Sequence, residues 1–469
     1  MKKNLSLTVL LCLFSAAAFA QSPRIHAGTE TAKFKAVEMA AFSLFAMDDQ
    51  CLYGYTSNST FISGGWSTNY LTLYKIGENG TLLQERQLTE FDRKCKVVTA
   101  FLNDDQIDML IITDFRSDSR KMVHARYDRN SFEPKQEPRD IPGFGCFVSP
   151  DRNWVGCVDE DYNFTMYSND MEVVWTKKIS NEGIINYFVT NEAELVLVGA
   201  KGESELYAQI ISDEREENFV GSMDLDGIAT LSIINYKNGR IYAGGLTFHW
   251  SNAKKPKDRV RLYDGCHSLV FDTRTQKIET DRYGFRLRDV SALHNSTPQK
   301  KSLDETYSIG QLPYSGRLST ENNMAMAYHY IPRYVEEGNY FYGGCMFFGI
   351  DDAGKISWIH FIRRSNSMGN EMFMVQPLFE FQGKPCIAYS ISQKGAHATD
   401  ELKPVANVKL QTGSTKVALV MASVDSDGTL EKTILDEQIN KPLLSSIEHQ
   451  GKRAFLLFRV GRANVLTIE

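Results

Sequence analysis

Two short acidic stretches begin like calcium-binding loops. Asp224-Leu225-Asp226-Gly227 and Asp425-Ser426-Asp427-Gly428 alternate carboxylates, as a hard cation bound by oxygen ligands requires. In both, the glycine stands at the fourth position rather than the sixth, and neither has a glutamate at the twelfth. Asp-Gly is also the ordinary pair of a tight turn, so both are expected to be turns. Asp159-Glu160-Asp161 could furnish paired carboxylates for acid–base work, but it reads as an acidic surface turn. The nine histidines are scattered, with no H-x-H or H-E-x-x-H, and no cysteine and histidine cluster has zinc spacing. No G-x-S-x-G elbow occurs, which removes the common serine-hydrolase signature. No catalytic residue, cofactor or metal is therefore expected.

Seven cysteines follow Cys12: Cys51, Cys95, Cys146, Cys157, Cys266, Cys345 and Cys386. Most sit in apolar runs, where a free cysteine is a small hydrophobe. Cys146 and Cys157 flank one hairpin and are placed to lie opposite each other. A buried reduced pair is the expectation, because cross-strand geometry rarely suits a disulfide.

Aromatic side chains are the remaining candidates for binding. Trp66, Trp250 and Tyr314 lie in or beside long polar segments, where an exposed ring flanked by polar groups can stack on a sugar or grip a peptide. The same rings could instead pack loop against scaffold. Trp154, Trp175 and Trp358 fall in apolar runs and are expected in the core. The basic run Lys254-Lys255-Pro256-Lys257-Asp258-Arg259 could meet an acidic ligand, or be a solvated loop.

The elements that must hold these residues are legible from a recurring hairpin. Ile76-Gly77-Glu78-Asn79-Gly80-Thr81-Leu82, Ile350-Asp351-Asp352-Ala353-Gly354-Lys355-Ile356 and Val424-Asp425-Ser426-Asp427-Gly428-Thr429-Leu430 each place turn residues between apolar runs. Repeated hairpins at intervals of tens of residues indicate an array. Four strands, A to D, describe each unit. A–B turns are expected at residues 47–50, 103–106, 150–153, 191–194, 236–239, 336–339, 381–384 and 449–452. C–D turns are expected near Asn79, Asn130, Asn169, Glu214, Arg274, Ala353 and Asp427. Uninterrupted apolar runs such as Val417-Ala418-Leu419-Val420-Met421 suit strands covered on both faces. A propeller blade, sandwiched between two neighbours, supplies that environment.

Ser149-Pro150-Asp151-Arg152-Asn153-Trp154-Val155 resembles the S-P-D-G-K-x-Val/Ile hairpin of TolB-like and prolyl-oligopeptidase-type propellers, with Arg152-Asn153 in place of Gly-Lys. The resemblance covers one hairpin and implies the β-propeller fold, not an activity. The last unit offers three strands, and the segment 24–33 is the natural donor of a fourth. The fold class expected is thus all-β: a propeller of eight four-stranded blades closed by N- and C-terminal strands, with seven blades as the alternative.

In such a ring the A–B and C–D turns share one face, and the B–C and D–A connections share the other. The first set is uniformly short. The second holds the long segments 58–69, 250–265, 286–322, 364–371 and 392–416. Long loops on a rigid scaffold are where binding and catalysis concentrate.

The compartment is suggested by the first residues. Lys2 and Lys3, an apolar stretch over residues 5–14 and Ala18-Phe19-Ala20 form a bacterial-type signal peptide pattern, with cleavage after Ala20. That stretch is too short to span a bilayer. The domains expected are a signal peptide over 1–20 and a single propeller over 21–469. Three N-x-S/T sites, at Asn58, Asn163 and Asn295, are incidental in a bacterium. The net charge is −6 and no block of five basic residues occurs, so nucleic acid is not an expected partner. A periplasmic or secreted, monomeric protein without a membrane span is expected. Its long-loop face would bind a peptide, glycan or protein partner. The alternative is a glycan-active hydrolase or lyase with carboxylates at the channel mouth.

Overall fold

The computed structural model describes residues 24–30, 32–33, 42–56, 59–62, 65–68, 71–91, 95–113, 121–143, 145–180, 183–202, 204–251, 259–296, 314–329, 335–336, 339–364, 366–368, 378–398, 408–409, 416–439, 443–459 and 462–469. The signal-peptide pattern lies outside them, as does most of the basic run.

Eight four-stranded antiparallel sheets follow one another along the chain. Blade 1 comprises Phe42–Met47, Cys51–Thr56, Thr72–Gly77 and Leu82–Gln87, and blade 2 Lys96–Leu102, Gln106–Thr113, Lys121–Asp128 and Arg139–Ile141. Blade 3 comprises Gly145–Val148, Trp154–Val158, Asn163–Ser168 and Val173–Lys178, and blade 4 Ile184–Val189, Leu195–Lys201, Glu205–Ile211 and Glu216–Ser222. Blade 5 comprises Ser232–Lys237, Arg240–Trp250, Arg261–Asp272 and Lys277–Gly284, and blade 6 Tyr314–Ser319, Met324–His329, Cys345–Ile350 and Ile356–Ile362. Blade 7 comprises Leu378–Phe381, Lys384–Ser392, Val417–Val424 and Leu430–Ile439. Blade 8 takes Leu443–His449, Lys452–Arg459 and Arg462–Ile468 from the C-terminus and its outer strand, Ile25–Ala27, from the N-terminus.

The protein is therefore an eight-bladed β-propeller. Its apolar interior is divided among the interfaces between blades. One cluster joins Tyr53 and Leu73 of blade 1 to Ile107 and Met109 of blade 2, and a further cluster fills each following gap. The eighth packs Phe42, Leu52 and Ile76 of blade 1 against Ala454, Leu456 and Val465 of blade 8, which closes the ring. This explains the unbroken apolar runs. Val417–Val424 is buried at every position because both faces of its sheet are covered. The outer strand Leu82–Gln87 alternates instead between half-buried and exposed.

Closure is made by backbone. Ile25, His26 and Ala27 pair with Ile468, Thr467 and Leu466, and Ala32 and Lys33 pair with Ala463 and Arg462. Between them the chain crosses to blade 1, where Glu30 N donates to Asn79 O at 2.8 Å. The approach needs glycine on both sides. A Cβ at Gly28 would sit 2.6 Å from Asn79 O, and one at Gly80, φ +92°, would sit 2.6 Å from Glu30 O.

Seven of the eight expected A–B turns fall where the sequence placed them, and the C–D turns agree. The exception is in blade 6. Its A–B turn is 320–323, closed by Thr320 N donating to Asn323 O at 2.9 Å. At the turn expected at 336–339, Val335–Glu336 pair instead with Asn339–Tyr342 in the B–C connection, as part of an accessory sheet. The inner strand, Tyr314–Ser319, falls within the segment 286–322 expected as loop, because it has no apolar run.

Candidate functional site

The two faces of the ring differ in what their side chains do. On the tight-turn face, polar groups tie blades to their neighbours. Arg129, on the C–D turn of blade 2, pairs with Asp48 on the A–B turn of blade 1, and its Nε donates to the Tyr53 hydroxyl at 3.0 Å. Trp154 of blade 3 donates from Nε1 to Asn191 O of blade 4 at 2.8 Å. Lys237 of blade 5 pairs with Asp352 of blade 6, and Lys452 of blade 8 pairs with Glu78 of blade 1. Asn323 of blade 6 donates to Gly383 O of blade 7 at 3.0 Å.

The most buried of these ties is in blade 2. Asp108 Oδ1 accepts from His124 Nε2 at 2.6 Å and Arg126 Nε at 2.8 Å, while Oδ2 accepts from Asn103 and Gln106 at 2.8 Å each. Burial pushes the Asp108 carboxyl up, but the hydrogen bonds from His124 and Arg126 outweigh it and hold it below the ordinary value. Arg139 Nε donates to His124 Nδ1 at 3.1 Å, so the ring accepts there and donates from Nε2. Arg126 and Arg139 continue to the backbone oxygens of Asp170 and Met171 in the C–D turn of blade 3. The network pins one blade to its neighbour.

The long-loop face carries added structure. A hairpin, Ser59–Ile62 with Gly65–Thr68, rises from blade 1. Val335–Glu336, Asn339–Tyr342, Asn366–Met368 and Val408–Lys409 form a four-stranded sheet drawn from three separate connections of blades 6 and 7. A short helix, Leu287–Leu293, sits between blades 5 and 6. The B and C strands of blade 5 run on to Trp250 and from Arg261, which lengthens them into a projecting ribbon.

That ribbon holds the best-defined candidate binding surface. Phe248 and Trp250 alternate onto one face, where their rings meet edge to face with centroids 5.4 Å apart. The Arg261 guanidinium lies 5.0 Å from the Phe248 ring centroid and 5.5 Å from that of Trp250. Trp250 and Val260 are each 48 % exposed. On the opposite face, Asp264 accepts from Thr247 Oγ1 at 2.7 Å and pairs with His249 at 3.1 Å, which stiffens the base. The indole and the guanidinium together present an apolar, cationic surface.

The three aromatic residues singled out from sequence do not converge. Trp66 lies in the blade 1 hairpin, opposite Phe61. Trp250 is across the ring on blade 5. Tyr314 begins the inner strand of blade 6, opposite Tyr328. Phe248, Val260 and Arg261 were missed. Their signal is alternation, Phe248-His249-Trp250 against Arg261-Leu262-Tyr263, the second run falling within the segment 250–265 expected as loop.

Other candidates resolve into turns. Asp224 Oδ1 accepts from Asp226 N, and Gly227 O accepts from Phe248 N. Asp427 Oδ1 accepts from Thr429 N, and Asp425 pairs with Lys384. Asp159 accepts from Asp161 N, Asn163 N and Asn163 Nδ2, so both its oxygens hold a turn. Asp159–Asp161 nevertheless rim a cleft of about 400 Å³ between blades 2 and 3, whose other wall is Lys121, Met122 and residues 140–143. Trp175 is buried, whereas Trp154 and Trp358 are half-buried.

No protein-family model matches the chain, and no curated protein matches it. Among solved structures it is similar to BamB from Moraxella catarrhalis, at 9 % identity, TM-score 0.37, covering 94 % of this chain and 97 % of that one. It is similar to U3-55K at 9 % identity and TM-score 0.39, covering 78 % and 92 %. It is also similar to the C-terminal WD40 domain of Sif2 at 9 % identity and TM-score 0.37, covering 96 % and 100 %. The propeller assignment rests on this chain's own strand pairing and its ring of interblade cores.

Proposed function

We propose that this chain is an exported binding propeller whose long-loop face recognises a peptide, glycan or protein partner. The observation that carries the reading is the difference between the faces. Polar groups of the tight-turn face tie blades together, whereas the blade 5 ribbon offers Trp250 and Arg261 to an incoming surface. Trp and Arg anchors of this kind dominate binding energy at interfaces. The leader-like pattern over residues 1–20 supports export, with a single propeller domain from Gln21 onward. Asp159, in the acidic stretch suited to acid–base work, spends both its oxygens on a turn, which favours binding over glycan cleavage. The test is a glycan and peptide array probed with the chain beginning at Gln21. Reproducible binding to a defined ligand class supports the reading, and sugar release or peptide cleavage in the same wells would replace it with a catalytic one.

A further inference from the structure

Cys146 and Cys157 face each other across the first two strands of blade 3. Their position in the ladder can be read from the turn that closes it. Ser149 N donates to Trp154 O at 3.0 Å, which makes these two a hydrogen-bonded pair. Bonded and unbonded pairs alternate along an antiparallel ladder. With no register shift in this hairpin, Phe147 and Gly156 fall on a bonded pair and Cys146 and Cys157 on an unbonded one. Unbonded pairs bring the Cα atoms to about 4.5 Å and the side chains closest. That lies inside the Cα range of about 4.4–6.8 Å that a disulfide needs. The two Sγ atoms are 2.6 Å apart, whereas unbonded heavy atoms keep about 3.5 Å or more.

The pair lies behind the lining of the cleft between blades 2 and 3. Cys146 is half-buried and its Sγ lies 3.2 Å from Sδ of Met122, which lines that cleft. Cys157 is buried beneath it, and a Cβ added at Gly143 in the cleft wall would lie 3.3 Å from the Cys157 Cβ. The other five cysteines of the described chain are buried, and none of them has a second sulfur placed across a strand in this way.

We propose that Cys146 and Cys157 form a structural cross-strand disulfide when the chain meets an oxidising thiol–disulfide couple. The Cys146 thiolate attacks one sulfur of the oxidant disulfide and expels one thiolate. The Cys157 thiolate then attacks Cys146 Sγ and expels the second. Two protein thiols lose two protons and two electrons, and the oxidant disulfide becomes two thiols. Occurrence in the cell rests on the export reading, since cytosolic pools keep such pairs reduced. The reactivity of the pair does not.

The test uses the full chain from Gln21, incubated with glutathione disulfide and then alkylated in denaturant without reductant. The expected product is lighter by two hydrogens before alkylation. It takes up reagent at five cysteines, or at all seven after reduction, and its peptide map links Cys146 to Cys157. Seven alkylated cysteines after that treatment, or a link between any other pair, overturns the proposal. A Cys146→Ser/Cys157→Ser variant should retain the native circular dichroism and show no mass change. If it fails to fold, the peptide map of the parent chain decides alone. Chain taken from its native cell into alkylating reagent separates the two readings. A linked pair supports both. A pair reduced in the cell that closes readily with glutathione disulfide leaves the proposal standing and removes the export reading.

Discussion

Asp108 is the one charged residue of the strand Gln106–Thr113 and accepts four hydrogen bonds with no exposed surface of its own. Removing it would strand His124, Arg126 and Arg139 around a buried void. Asp108→Ala should therefore lower stability by about 3–5 kcal/mol, the usual cost of breaking a buried pair from one side. Urea unfolding checks it, and a loss under about 1 kcal/mol would mean that water replaces the carboxylate. Two buried histidines are held neutral. Burial pulls His267 down to about 4 and His329 to about 3, with the charges of Arg282 and Arg364 adding to it. Their folded values lie below the unfolded one of about 6.5, so the unfolded chain binds more protons on acidification. Stability should hold above about pH 6.5 and fall by roughly 1 kcal/mol per pH unit per group towards pH 4. Among the described residues, neither ring nitrogen of His329 has a hydrogen-bond partner. His329→Leu should thus be neutral or stabilising at pH 7 and should flatten the acid limb. An unchanged limb in urea titrations at pH 5 would remove His329 from the account. At Arg152 the sequence departs from the glycine of the hairpin it resembles, and the residue holds φ +62° nonetheless. Its guanidinium donates to Ala100 O at 2.7 Å and lies over the Phe101 ring, which offsets the left-handed backbone.

At the scale of the element, the turns were legible because their chemistry is local. Gly80, Gly354 and Gly428 all take positive φ in the C–D turns that the sequence marked. The inner strand of blade 6 was not legible. Arg317 from that strand reaches Ile233 O of blade 5 and the Phe188 ring of blade 4, a role that polar side chains fill without an apolar pattern. The accessory sheet was hidden for a different reason: its parallel pairing of Asn366–Ser367 with Val408–Lys409 joins distant loops and leaves no turn signal between them. The ribbon of blade 5 leads to a prediction about its tip. Trp250→Ala removes a ring that contacts Phe248 and Arg261 but is half open to solvent. It should change stability by less than about 1 kcal/mol, as exposed positions do. A thermal scan showing a larger loss would make Trp250 a packing residue rather than a presented one.

Across the whole molecule, the eight interblade cores make stability depend on the ring being shut. The blade number was legible because the incomplete last unit and the unassigned segment 24–33 matched in need. Which side chains cross between blades was not, since those contacts depend on ring geometry rather than on spacing along the chain. Removing residues 24–33 would leave Arg462–Ile468 as an unpaired edge beside buried Leu466 and Ile468. The truncated chain should aggregate or melt markedly lower, and an unchanged melt with a single sharp elution peak would contradict closure by that segment. The central claim, that the long-loop face is the working one, is tested most directly by measuring binding of one ligand class from the array to three chains. The parent and Asp351→Ala, whose turn lies on the other face, should bind alike. Trp250→Ala should bind more weakly by about 1–3 kcal/mol, the scale of an aromatic anchor. Normal binding by Trp250→Ala together with loss in Asp351→Ala would contradict the account.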